Sequence, residues 1–350
     1  MKFPFRKRTG RIRTVRSVPV VEKAAAAALL AALLFPAAAG GGAAKSTAAG
    51  QTDGEVREES AMAVEGKIRA VVGIPPVASL LERIGGERVS VSVLVKSGQD
   101  PHTFQLTPKQ MIDLGEADLY YAVGLPFERR LIEKLQSMNM GFLLVQTDAG
   151  VEKIPLDDGT EQDHRALQEG EPDAHTGLQE GPDGSHGGIE PDPHIWLSPS
   201  ALKIICTHIY EGLVRVDAAH EQDYKKNLEQ TLFRLNELDL RLKQLFAPYR
   251  GRAFYVYHPA FGYLAHEYGL VQVPVEIQGK SPTPRQVQSL IERARAEGVK
   301  IIFVSPQFFR QSASVVAEAI GGAAVSIDPL APDPISNLEE VAGKIAGALR

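Results

Sequence analysis

The sequence predicts an α/β protein of two parallel-sheet lobes bridged by one long rigid helix. Short β-rich runs alternate with helical patterns from about residue 66 onward, which is how parallel strands with crossover helices read. The alternation stops once, at a polar stretch over 152–192, and a single long helical pattern over Glu221–Phe246 follows. It then resumes to the C-terminus, so the helix has a lobe on either side.

The first 39 residues read as a secretory signal peptide. Lys2, Arg6, Lys7, Arg8, Arg11, Arg13, Arg16 and Lys23 form a basic region, the apolar run Ala24–Phe35 follows, and Pro36-Ala37-Ala38-Ala39 suits a small-residue cleavage site. That run is too short to span the roughly 30 Å hydrocarbon layer as a helix. No cysteine lies near the cleavage site, which excludes a lipid anchor there. Residues 40–65 are small, polar and aperiodic, as in a flexible leader.

The N-terminal lobe is expected over 66–218. Strands are predicted at 68–73, 89–95, 119–123 and 142–146, with helices at 77–84, 107–114 and 128–135 between them. The interruption at 152–192 holds twelve acidic and two basic residues and the evenly spaced His164, His175 and His186, so a disordered acidic loop is expected there. A helix over 199–214 closes the lobe. The linking helix, 219–248, places Leu228, Leu235, Leu238, Leu242 and Leu245 on three- and four-residue steps, with Thr231 filling one place. The C-terminal lobe, 249–350, repeats the alternation: strands at 253–257, 271–277, 301–304 and 323–327, and helices at 260–268, 284–297, 312–320 and 337–349.

Charge and cysteine content exclude several classes. Without residues 1–39 the chain keeps 30 basic and 42 acidic residues, a formal charge of −12, which gives no electrostatic case for binding nucleic acid. Cys206 is the sole cysteine, so no intramolecular disulfide supports the fold. A monomer held by its own core is expected.

Four segments each bring one strong metal ligand just past a strand or beside the insert: Gln99-Asp100-Pro101-His102, Asp192-Pro193-His194-Ile195-Trp196, Tyr257-His258-Pro259 and Ile327-Asp328-Pro329-Leu330. Three imidazoles and a carboxylate suit Zn²⁺. Ligands this far apart in sequence meet only if folding gathers loops at the carboxyl ends of the strands, where open α/β sheets bind their ligands. His102 and His194 belong to the first lobe, His258 and Asp328 to the second, which predicts a cleft site. Trp196 is expected to wall that cleft and Cys206 to be a small core residue. Glu276 reads equally as an orienting partner for a histidine or as a surface carboxylate.

These segments, together with Glu276-Ile277-Gln278-Gly279-Lys280-Ser281-Pro282-Thr283-Pro284 and Pro306-Gln307-Phe308, resemble the cluster A-I solute-binding proteins of ABC transporters, which capture zinc or manganese. The resemblance implies metal ligation by His102, His194, His258 and Asp328, delivery to a membrane permease, and a periplasmic or otherwise extracytoplasmic location. In that family a histidine at the third position is typical of zinc proteins, so His258 implies Zn²⁺ rather than Mn²⁺. The alternatives are a manganese-binding homologue, a metal-dependent surface adhesin and a secreted zinc hydrolase. The last is disfavoured because no H-E-x-x-H is present and a fourth protein ligand is available.

Overall fold

The computed structural model describes residues 13–15, 66–137, 141–156, 191–276, 280, 282–308 and 311–350. The flexible leader, most of the signal peptide and most of the acidic insert, including His164, His175 and His186, lie outside these residues.

The first sheet is built from β1 (Arg13–Val15), β2 (Ile68–Val72), β3 (Val89–Val93), β4 (Leu119–Ala122) and β5 (Leu143–Gln146) in the order β1-β5-β4-β2-β3, all parallel. β1 lies beside β5 with Thr14 opposite Leu144. It falls within the stretch the sequence reads as a signal peptide, and without it the sheet has four strands. The crossovers run through α1 (Pro75–Gly85), α2 (Pro108–Glu116) and α3 (Pro126–Ser137). Local chemistry fixes where they begin. Thr107 and Gln110 close a reciprocal capping box around Pro108, which leaves the first turn of α2 satisfied.

α4 (Pro199–Val216) leads into α5 (Glu221–Phe246), the long helix that the leucine spacing predicts. Its 26 residues span about 39 Å at 1.5 Å per residue. Leu228, Thr231, Leu235, Leu238 and Leu242 are buried along one stripe, and Phe246 takes the buried place at the end where Leu245 is only half-buried. The second sheet follows, from β6 (Ala253–Val256), β7 (Val271–Pro274), β8 (Ile301–Val304) and β9 (Ala323–Ser326) in the parallel order β7-β6-β8-β9. Its helices are α6 (Gly262–Tyr268), α7 (Pro284–Ala296), α8 (Gln311–Ala319) and α9 (Pro334–Ala348).

The two-residue period of β6 explains how the core divides. Phe254 and Val256 face a core that continues through α5 and Trp196 into the first lobe, while Tyr255 packs on the opposite face with Val273, Ile302 and Val316. One hydrophobic core therefore ties both lobes to the helix. Polar contacts add to it: Arg83 of α1 pairs with Asp333 at 2.7 Å, and Ser198 donates to Glu267 at 2.6 Å. Each of these contacts joins elements of different lobes.

Glu128 anchors the turn between β4 and α3. It is fully buried, its Oε2 accepts the N–H groups of Val123, Gly124 and Leu125 at 2.9–3.0 Å, and its Oε1 accepts the Tyr120 hydroxyl at 3.1 Å. Burial pushes its carboxyl up to about 7 from an ordinary 4.5, against the pull of those donors. Between these two values the folded state binds more protons than the unfolded one. The residue's contribution to stability therefore falls as pH rises from 4.5 through about 7. Glu128→Gln keeps an acceptor for the N–H groups and does not ionise. It should gain on the wild type by about 3 kcal/mol between pH 5 and pH 8 in urea unfolding. A pH-independent difference would contradict this.

Candidate metal centre

Three of the four predicted ligands converge. His102, His194 and His258 each offer a ring nitrogen, and these atoms lie within 4.8 Å of one another. The ring centroids form a near-equilateral triangle with sides of 5.4, 4.9 and 5.1 Å. The Nε2 atoms of His194 and His258 face each other at 3.2 Å. Two nitrogens bound tetrahedrally at 2.0–2.1 Å from a zinc ion would be about 3.3 Å apart. The 3.2 Å separation fits a shared cation.

Local turns aim these side chains. Asp100-Pro101-His102 and Asp192-Pro193-His194 are the same device: the aspartate Oδ1 accepts the histidine backbone N–H, at 2.8 Å in each case. The proline fixes the intervening residue, so the imidazole leaves the turn in a set direction. His258 follows β6, where Ala260 N–H bonds the His258 carbonyl at 2.8 Å.

The ring nitrogens facing away from the centre are held by carboxylates. His194 Nδ1 lies 2.7 Å from Asp192 Oδ1, and His258 Nδ1 lies 2.6 Å from Glu276 Oε1. With the carboxylates ionised, each Nδ1 carries the proton and each Nε2 keeps a lone pair for a metal. Both carboxylates are buried. Of the two sequence readings of Glu276, the orienting partner is therefore the one observed. Asp192 was given no role from sequence, although its place two residues before His194 repeats that of Asp100 before His102. It is also tightly seated: a Cβ on Gly262 would fall 2.5 Å from its Oδ2. Removing either partner is expected to weaken metal binding by roughly 10–100-fold without loss of a ligand. Titration of Glu276→Gln checks this, and unchanged affinity would count against it.

Burial sets the electrostatics. It lowers the proton affinity of His102 to about 3, helped by repulsion from His194 and His258 and opposed by Asp100. His194 is likewise held well below its usual range, first by burial and then by His258. Burial pushes Asp192 up to about 7 against the His194 N–H, and a divalent cation beyond the imidazole would favour the ionised form. Burial thus keeps His102 and His194 as neutral nitrogen donors.

Asp328 is not among the predicted ligands that the structure brings together: its carboxylate lies outside the histidine group. It begins a third aspartate-proline turn, with Oδ1 accepting Leu330 N–H at 2.9 Å, so it occupies the place of Asp100 and Asp192 while Leu330 occupies that of the histidine. Gln307 Nε2 donates to the same oxygen at 2.6 Å. Trp196 is fully buried beside His194 and donates its indole N–H to the Pro329 carbonyl at 2.7 Å, which ties the two lobes' turns together. Cys206 is buried in the core, as expected.

The family model described as zinc-uptake complex component A, periplasmic (ZnuA), matches residues 70–346. The chain belongs to the ZnuA family. Among its relatives, the high-affinity zinc uptake system protein ZnuA of Bacillus subtilis is 28% identical over 258 residues, covering 73% of this chain and 76% of that one. A crystal structure of ZnuA superposes with a TM-score of 0.69 at 34% identity, covering 81% of this chain and all of the other. The periplasmic zinc-binding protein TroA of Treponema pallidum shares the fold, with a TM-score of 0.66 at 18% identity over 81% of this chain and 99% of its own. The two-lobed α/β architecture is thus that of the ZnuA family.

Proposed function

We propose that this ZnuA-family protein is an extracytoplasmic solute-binding protein that captures Zn²⁺ between its lobes and passes it to an ABC transporter permease. His102, His194 and His258 hold the ion, and Asp328, whose carboxylate stands outside the histidine group, moves in to complete the shell through Oδ2 when the ion binds. The observation that carries this reading is the 3.2 Å approach of two imidazole Nε2 atoms backed by buried carboxylates. Three nitrogen donors favour zinc over manganese. The names of the Bacillus subtilis and Treponema pallidum proteins point to the same cargo.

Binding rather than turnover is supported by how the neighbouring acids are used. Asp192 and Glu276 are each engaged by an imidazole Nδ1, which leaves neither placed as a general base for a metal-bound water. Among the described residues no helix is long and apolar enough to cross a membrane. Export by the predicted signal peptide and docking to a permease complete the reading. Competitive titration of Zn²⁺ and Mn²⁺ tests it: one zinc per chain, with zinc strongly preferred, is the expected result. Growth of a deletion strain under zinc limitation tests delivery. Equal manganese affinity, or normal growth without zinc supplementation, would overturn it.

A further inference from the structure

The sequence marks Gln307 only as part of Pro306-Gln307-Phe308, yet the structure places its amide directly on Asp328. We propose that Gln307 is a positioning residue that sets metal selectivity by withholding one oxygen of Asp328 from the ion. This rests on the metal-capture reading given above.

The turn that carries Asp328 is fixed on every side. Asn337 Nδ2 donates to the Asp328 carbonyl at 2.8 Å, and Trp196 Nε1 donates to the next carbonyl at 2.7 Å. Oδ1 takes two donors, Leu330 N–H at 2.9 Å and Gln307 Nε2 at 2.6 Å. Its lone pairs are therefore spent, and only Oδ2 remains for a cation. The Gln307 amide has one sensible orientation, because only its NH₂ can face a carboxylate. That orientation has a cost. Gln307 is buried, and among the described residues its Oε1 has no hydrogen-bond partner. A buried carbonyl oxygen left in this state is uncommon in folded proteins and points to a use for the other end of the side chain.

Restricting the carboxylate selects between ions. Zinc is satisfied by four ligands in a tetrahedron, which three imidazoles and one oxygen supply. Larger, harder cations take more oxygen ligands and accept carboxylates through both oxygens. With Oδ1 held by Gln307 and Leu330, the second oxygen is not offered, and an oxygen-seeking ion loses more than zinc does. Without Gln307, Oδ1 keeps only the Leu330 N–H and has a lone pair to offer an oxygen-seeking ion.

Competitive titration of Zn²⁺ against Mn²⁺ on the purified protein tests the proposal in the wild type, in Gln307→Met, which keeps the volume without the amide, and in Gln307→Ala. The expected result is a fall of at least about tenfold in the zinc-to-manganese affinity ratio, or about 1.4 kcal/mol. The shift should vanish when Asp328→Ala is already present, which a merely structural role for Gln307 does not predict. An unchanged ratio in a variant with a cooperative melt overturns the proposal alone, while absence of one-to-one zinc binding in the wild type overturns the capture reading beneath it. X-ray absorption of the zinc-loaded wild type gives a check that needs no variant: one carboxylate oxygen in the shell is expected, and two would refute it.

Discussion

Zinc binding by His258→Ala should be weaker than wild type by roughly 10²–10³-fold. Structural zinc sites contribute about 10–16 kcal/mol over four ligands, so one imidazole carries on the order of 3–4 kcal/mol. His258 is the residue best placed to show this, because its Nε2 lies 3.2 Å from that of His194 and its Nδ1 is braced by Glu276 at 2.6 Å. Alanine removes a donor and leaves Glu276 buried without its partner, so a stability loss should accompany the affinity loss. Chelator competition separates the two effects, since affinity is read on folded protein only. A change below about tenfold would mean that the imidazole is not a ligand.

Trp196→Ala should destabilise the fold by about 3–5 kcal/mol, the range for emptying a large aromatic from a core. The indole is fully buried, packs edge-on against His194 with centroids 5.3 Å apart, and donates its only N–H across the lobe boundary to Pro329. Its removal opens a cavity in the core shared by the two lobes and releases the Asp328 turn. Both stability and zinc affinity should fall, whereas Trp196→Phe should restore most of the packing but not the cross-lobe bond. Urea unfolding of the three proteins checks this. Equal stability of Trp196→Phe and Trp196→Ala would show that the hydrogen bond, rather than the packing, dominates.

The fold was legible because its elements carry strong local signals. The leucine spacing located α5, and Thr107-Pro108 and Thr283-Pro284 marked helix starts that the structure closes with capping boxes. Strand ends were less readable: within the run at 89–95 the strand ends at Val93, although the N–H groups of Leu94 and Val95 still bond the carbonyls of Val72 and Gly73 at 3.0 and 2.9 Å. The histidines were legible for a different reason, each standing beside a proline just past a strand or at the edge of the insert. What sequence could not supply was the other half of the site. Glu276 and Gln307 act across the sheet from their partners, 18 and 21 residues away, so sequence left Glu276 open between two readings and gave Gln307 none. Asp328 stands outside the histidine group for a physical reason carried by the repeated aspartate-proline turns. In all three turns the aspartate accepts the N–H two residues on, and only in the first two is that residue a histidine.

The most direct test is a crystal structure of the protein soaked or grown with zinc, with anomalous data collected on both sides of the zinc edge. A single strong peak is predicted at 2.0–2.1 Å from the Nε2 atoms of His194 and His258 and a ring nitrogen of His102, with Asp328 Oδ2 at similar distance. A zinc peak elsewhere on the molecule, with the three imidazoles unmoved and unligated, would contradict the account.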